Sequence, residues 1–191
     1  MNKKEAKILI VDDIEDNRYT LERSLKRDGY KNISLAECGK EALDLVNESK
    51  FDLILLDLMM PDISGLDVLK QLKGNPVQRN IPVIMVTASD EVDTAAECIK
   101  NGADDFVTKP FNRTLLRARV DASLDKKGMR DREEVYLDKV ETDKKKSQQI
   151  LKTVMPNSVV SELQTTGFVR PRRYDEAVSY THLTLPTSQY V

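Results

Sequence analysis

The sequence predicts an α/β fold: a doubly wound, five-stranded parallel sheet with a C-terminal helical extension. Three observations lead there. Short apolar runs alternate with amphipathic stretches five times between residues 7 and 124. Three of the runs are apolar throughout, as strands are when helices cover both faces of a sheet. Glycines punctuate the alternation where helices should stop.

In order, the first strand spans 7–12 and closes on Asp12 and Asp13. The helix after it carries Leu21 and Leu25 four apart, and Gly29 ends it. A strand at 32–37 precedes a helix with Ala42, Leu45 and Val46 on one face. The third strand, 52–57, reads Leu53-Ile54-Leu55-Leu56 and closes on Asp57; Leu69 and Leu72 mark the helix beyond Gly65. After the strand at 81–86, Val92, Ala95, Ala96 and Ile99 follow the i, i+3, i+4, i+7 rule until Gly102. The fifth strand, 104–107, leads to Lys109-Pro110 and a helix marked by Leu116, Val120 and Leu124. Right-handed crossovers restrict the topology, and 2-1-3-4-5 is one of two common strand orders.

From Asp125 to Gln149 the chain is dense in charge. Met129, Tyr136, Val140, Ile150 and Val154 share one a/d heptad register, which Glu133, Asp143 and Ser147 interrupt. A weak coiled coil and a merely solvated helix both fit this pattern. Pro156 should end that helix, and 157–164 can form one more. Beyond Tyr180 no period is visible.

Composition narrows the function classes. The 191 residues are 40% hydrophobic, enough for a core, and 32% charged, which points to long solvated helices. A net charge of −2 gives no electrostatic case for a nucleic-acid partner. No apolar run approaches the ~18 residues that span a bilayer, and Met1-Asn2-Lys3-Lys4 leads straight into a strand without a signal-peptide pattern. The expectation is a cytoplasmic protein without a membrane partner. Cys38 and Cys98 read as reduced packing residues. The single histidine, His182, lies in the unpatterned tail, which argues against histidine-based catalysis.

The chemistry lies where strands end. With the order 2-1-3-4-5, Asp12, Asp13 and Asp57 sit side by side at the carboxyl edge, and Thr87 and Lys109 ring the same crevice. Crowded carboxylates repel and invite a divalent cation; Mg²⁺ prefers few carboxylates, some waters and a phosphate oxygen. Lys109 can pair with an anion and Thr87 can donate to a phosphoryl oxygen. Each residue alone has a plainer reading: helix caps for Asp12, Asp13 and Thr87, an ordinary surface lysine for Lys109, turn residues for Pro61 and Gly65. Five compatible groups on one edge outweigh those readings.

Ile10-Val11-Asp12-Asp13, Leu56-Asp57-Leu58-Met59-Met60-Pro61-Asp62 with Gly65, Val86-Thr87-Ala88, Gly102-Ala103-Asp104-Asp105-Phe106 and Lys109-Pro110-Phe111 together resemble the receiver domain of bacterial response regulators, a flavodoxin-like fold. The resemblance covers residues 7–124. It implies that Asp57 is the phosphoacceptor. It implies that Asp13 and Asp57 bind Mg²⁺ directly with the backbone carbonyl of Met59, and that Asp12 acts through water. Thr87 and Lys109 would hold the phosphoryl oxygens, and the Lys109-Pro110 bond would be cis. Phe106 falls at the aromatic switch position, where many members carry Tyr. The implied partner is a histidine kinase or phosphotransfer protein, and the heptads allow a homodimer.

Met129-Arg130-Asp131-Arg132-Glu133, Ile150 to Pro156, Val159, Leu163 and Arg173 to Val178 resemble the linker and opening strand of class III adenylate/guanylate cyclases fused to receivers. The expected next strand, with its metal-binding Asp, is replaced by Ser179-Tyr180-Thr181-His182-Leu183-Thr184-Leu185-Pro186. The expected organisation is a receiver at 1–124, a helical linker at 125–156, the start of a truncated cyclase-like output domain at 157–178, and a disordered or foreign tail at 179–191. On that reading this chain is not an enzyme, although a longer parent would be. Two other enzyme-like classes fit poorly. An aspartate-nucleophile phosphatase usually has D-x-D after the first strand, and a dinucleotide-binding domain needs a Gly-rich loop where this chain has Ile14-Glu15-Asp16-Asn17. A phosphorylation-independent interaction module is the remaining alternative.

Overall fold

A computed structural model describes residues 3–88, 92–154 and 157–168. Five parallel strands form one sheet: β1 (Lys7–Val11), β2 (Asn32–Ala36), β3 (Leu53–Asp57), β4 (Val83–Thr87) and β5 (Asp105–Thr108), in the order β2-β1-β3-β4-β5. Between and after them run α1 (Glu15–Arg27), α2 (Gly39–Glu48), α3 (Gly65–Gly74), α4 (Val92–Lys100), α5 (Arg113–Val154) and α6 (Asn157–Thr166). The expected fold class and strand order are observed. The chain divides into two compact units, Met1–Leu137 and Asp138–Val191.

The pleat explains the doubly wound architecture of the first unit. Successive side chains of a strand point to opposite faces. Leu9, Val11, Ile54, Leu56, Val83 and Met85 enter one core with Ala42 and Val46 of α2, Val68, Leu69 and Leu72 of α3, and Cys98 of α4. Ile8, Ile10, Leu53, Leu55, Ile84 and Val86 enter the other with Leu21 and Leu25 of α1 and Leu116, Val120 and Leu124 of α5. Every residue of β3 and β4 is buried. Both faces of these strands are covered, so an alternating polar pattern has no place in them.

Gly29 and Gly102, both at positive φ, follow α1 and α4 as expected. The face read for α4 is corrected. Ala96 and Ile99 are exposed, Ile99 at 41%, whereas Cys98 is fully buried. The small thiol, which packs as a hydrophobe, faces the sheet, and Ala96 and Ile99 do not. The fifth helix and the charged stretch after it are one helix, Arg113–Val154. In the second unit α6 spans the stretch expected to be helical, and Gly167 follows it at φ +75°. The expectations for Pro156, for Arg173 to Val178 and for the tail 179–191 with His182 lie outside the described residues. Among the described residues no helix is long and apolar enough to cross a membrane.

Candidate functional site

Strand register assembles the site. Val11 of β1 pairs with Leu56 of β3, so Asp12 and Asp57 emerge next to each other. Asp57 pairs with Val86 of β4, which places Thr87 one residue further out. Thr87 pairs with Thr108 of β5, and Lys109 follows at once. The Lys109 amide donates to the Thr87 carbonyl at 2.7 Å. The Lys109-Pro110 bond is cis, as the family resemblance implied.

The structure brings together the carboxylates named from sequence. Asp12, Asp13 and Asp57 each offer an oxygen within 4.8 Å of the others, an arrangement able to hold a metal ion. Asp12 is fully buried, Asp57 is 4% exposed, and Asp13 faces solvent. The Lys109 ammonium donates to Asp12 Oδ2 at 2.8 Å and to Asp57 Oδ1 at 2.9 Å. Three carboxylates against one ammonium leave excess negative charge, which a divalent cation would compensate. The Thr87 hydroxyl is buried and has no hydrogen-bond partner among the described residues. A buried, unsatisfied hydroxyl is costly, and a phosphoryl oxygen would satisfy it. Met59 lies in the β3–α3 loop and is 64% exposed.

Burial is the main influence on Asp57 and disfavours its charge. The Lys109 hydrogen bond opposes that effect, the Asp12 charge adds to it, and the carboxyl is pushed up to about 6. For Lys109, burial disfavours the charge, but the hydrogen bonds it donates to Asp12 and Asp57 outweigh that and hold the ammonium above its ordinary value. At neutral pH the site therefore holds an ionised Asp57 against a firmly charged lysine.

Supporting contacts were not evident from sequence. Asp12 Oδ1 accepts from the Ile14 amide at 2.9 Å and from Asn17 Nδ2 at 3.0 Å. Buried Arg18 donates to the Asp12 carbonyl at 2.7 Å and the Asp13 carbonyl at 3.1 Å, and pairs with Glu37 at 3.1 Å. Its signal was present: Arg18 shares the face of Leu21 and Leu25, where a cation needs a buried partner. Asp62 accepts from the Gly39 and Lys40 amides at the start of α2. Those amide bonds outweigh its desolvation and hold the carboxyl down at about 2. Gly65 is a close approach: an added Cβ would lie 2.0 Å from the Asp57 carbonyl oxygen. Only glycine lets α3 start against the backbone that carries Asp57, with the Gly65 amide donating to the Leu58 carbonyl at 2.9 Å. Phe106 packs against the α2–α4 core with Arg119 over its ring at 5.6 Å, and Arg119 also pairs with Asp105.

The family described as "Response regulator receiver domain" matches residues 8–121. The chain belongs to this family. It carries the receiver domain of a two-component response regulator. Relatives with this receiver include the cell cycle transcriptional regulator CtrA of Caulobacter vibrioides, 38% identical over 61% of this chain and 49% of that one. The response regulator PleD of the same organism is 43% identical over 60% of this chain and 25% of that one. The match thus spans half or less of the length of these relatives. A putative response regulator structure from Chloroflexus aurantiacus superposes with a TM-score of 0.61 at 30% identity, covering 63% of this chain and 98% of that one.

Proposed function

We propose that Asp57 is the phosphoacceptor of this receiver and that a histidine kinase or phosphotransfer protein is its donor. The observation that carries the proposal is a buried carboxylate paired with a charged lysine, with a buried threonine hydroxyl that has no partner among the described residues at the same sheet edge. An oxygen of Asp57 attacks phosphorus, forming an O–P bond while the P–N bond to the donor imidazole breaks and that ring nitrogen takes up a proton. Lys109 then exchanges its Asp57 contact for a phosphoryl oxygen, and Thr87 donates its hydroxyl to another. Asp13, Asp57 and the Met59 carbonyl would hold Mg²⁺ directly, and Asp12 through water. When bound, the cation neutralises charge between the carboxylates and the incoming phosphoryl group. Arg18 and Asn17 keep the Asp12–Asp13 backbone and carboxylate in place throughout.

The linker and output are part of the same reading. Met129, Tyr136 and Val140 on α5 are 61%, 66% and 46% exposed, which suits pairing of two copies along the heptad stripe. The linker would pass the signal to a class III adenylate/guanylate cyclase domain in a longer parent, and the chain itself would have no cyclase activity. A longer version of the chain assayed for cyclic nucleotide tests that part. A phosphorylation-independent docking module leaves the ion cluster and the orphaned Thr87 hydroxyl without a purpose. For the receiver, incubation with acetyl phosphate and Mg²⁺ should add one phosphoryl group to the chain. Asp57→Asn should remove that labelling, and undiminished labelling of the variant would overturn the assignment.

A further inference from the structure

A second ion cluster lies at the opposite, amino-terminal end of β5, remote from the crevice. Asp104, whose side chain is only 7% exposed, precedes β5. Its Oδ2 accepts from the Val83 amide at 3.2 Å and faces Lys73 of α3 at 3.5 Å. Its Oδ1 faces Arg130 at 2.8 Å and Lys126 at 3.3 Å, both on α5 beyond its last core residue, Leu124. Three cations thus converge on one carboxylate, and without it they would only repel one another. Lys73 is itself fixed, donating to the Ile81 carbonyl at 2.8 Å. The same stretch of α5 is held at two more points. Lys127 pairs with Asp52 at 3.3 Å, just before β3, and Asp125 pairs with Lys3 at 2.6 Å. These side chains all belong to the first compact unit.

Resting on the phosphoacceptor reading above, we propose that β5 acts as a rod joining the two clusters. Lys109 stands at its carboxyl end and Asp104 at its amino end, with the four residues Asp105–Thr108 between them. β5 is paired with β4 over all four of its residues, so its two ends keep a fixed spacing and the strand can shift as one body. Transfer of Lys109 from Asp57 to a phosphoryl oxygen displaces that body, and Asp104 carries the displacement into Lys126 and Arg130. The root of the linker helix is thereby gripped by the strand that senses phosphorylation, and Asp104 is a positioning residue for signal output.

Amide hydrogen exchange on the full chain tests this, with and without acetyl phosphate and Mg²⁺, alongside mass measurement of Asp57 phosphorylation. Two variants are compared: Asp104→Asn, and Lys126→Gln combined with Arg130→Gln, which leaves the Asp104 contacts with Val83 and Lys73 intact. Without donor, exchange over 125–131 should become roughly tenfold faster in both. With donor, the wild type should change its exchange over 125–137, and both variants should lose that change while still taking phosphate on Asp57. Unchanged exchange without donor, or a donor response that survives in the variants, would overturn the rod. A chain that takes no phosphate at all would refute the phosphoacceptor reading instead, and the donor-free comparison would still judge the grip of Asp104 on α5.

Discussion

Replacing Asp57 by Asn should stabilise the metal-free protein, although it removes the proposed phosphoacceptor. Burial raises the folded-state value of this carboxyl from 3.8 to about 6. A group raised in the folded state favours folding when protonated, so its contribution is intact below pH 3.8 and is lost as pH rises through about 6. The gap corresponds to about 3 kcal/mol at neutral pH, at about 1.4 kcal/mol per pH unit. Asn removes the charge but keeps an oxygen for the Lys109 ammonium, so a gain of about 1–3 kcal/mol is expected at pH 7.5. Urea unfolding in EDTA measures it. From this group the wild type should regain about 1 kcal/mol between pH 7.5 and pH 5, and the variant should not. An Asp57→Asn protein less stable than wild type at pH 7.5 in EDTA would show that the Lys109 ion pair outweighs burial and would refute the reasoning.

Other perturbations have equally definite outcomes. Gly65→Ala forces a Cβ into the Asp57 carbonyl; it should cost about 2 kcal/mol or more in urea unfolding and slow acetyl phosphate labelling, because the backbone that carries Asp57 must move. Arg18→Met removes the bonds to the Asp12 and Asp13 carbonyls and leaves both without that donor; a loss of about 1–3 kcal/mol and weaker Mg²⁺ uptake by calorimetry are expected. Leu55→Ala opens a cavity in the α1–α5 core beneath the site and should cost about 2–5 kcal/mol without altering the Mg²⁺ stoichiometry. Thr87→Val fills the same space without a hydroxyl; it should fold normally, since no bond within the described residues is lost, yet shorten the lifetime of the phosphorylated state.

The sheet was legible because its strands are buried on both faces: Leu53 to Leu56 has no solvated side and therefore no polar residue. The site was legible for a related reason. Carboxylates at the ends of such runs mark where the apolar core stops, and once strand order is known they must meet. The face of α4 was misread at Ala96 and Ile99, which are exposed; among its described side chains Cys98 is the one that is fully buried. Arg18 could be located on the face of α1 that it shares with Leu21 and Leu25, but its partners, like those of Asp104, could not. Their roles depend on partners distant in sequence, such as Glu37 for Arg18 and Lys73 and Arg130 for Asp104, and no local pattern announces such pairs. The unbroken run of α5 was also obscured, because core packing ends at Leu124 while helical hydrogen bonding continues to Val154.

Peptide mapping of the protein after reaction with acetyl phosphate and Mg²⁺ probes the central claim most directly. An aspartyl phosphate is an acyl phosphate, so hydroxylamine should release the phosphoryl group and mark the peptide that contains Asp57, in a reaction lost when EDTA is added. A mark on a peptide lacking Asp57, or phosphate that resists hydroxylamine, would contradict it.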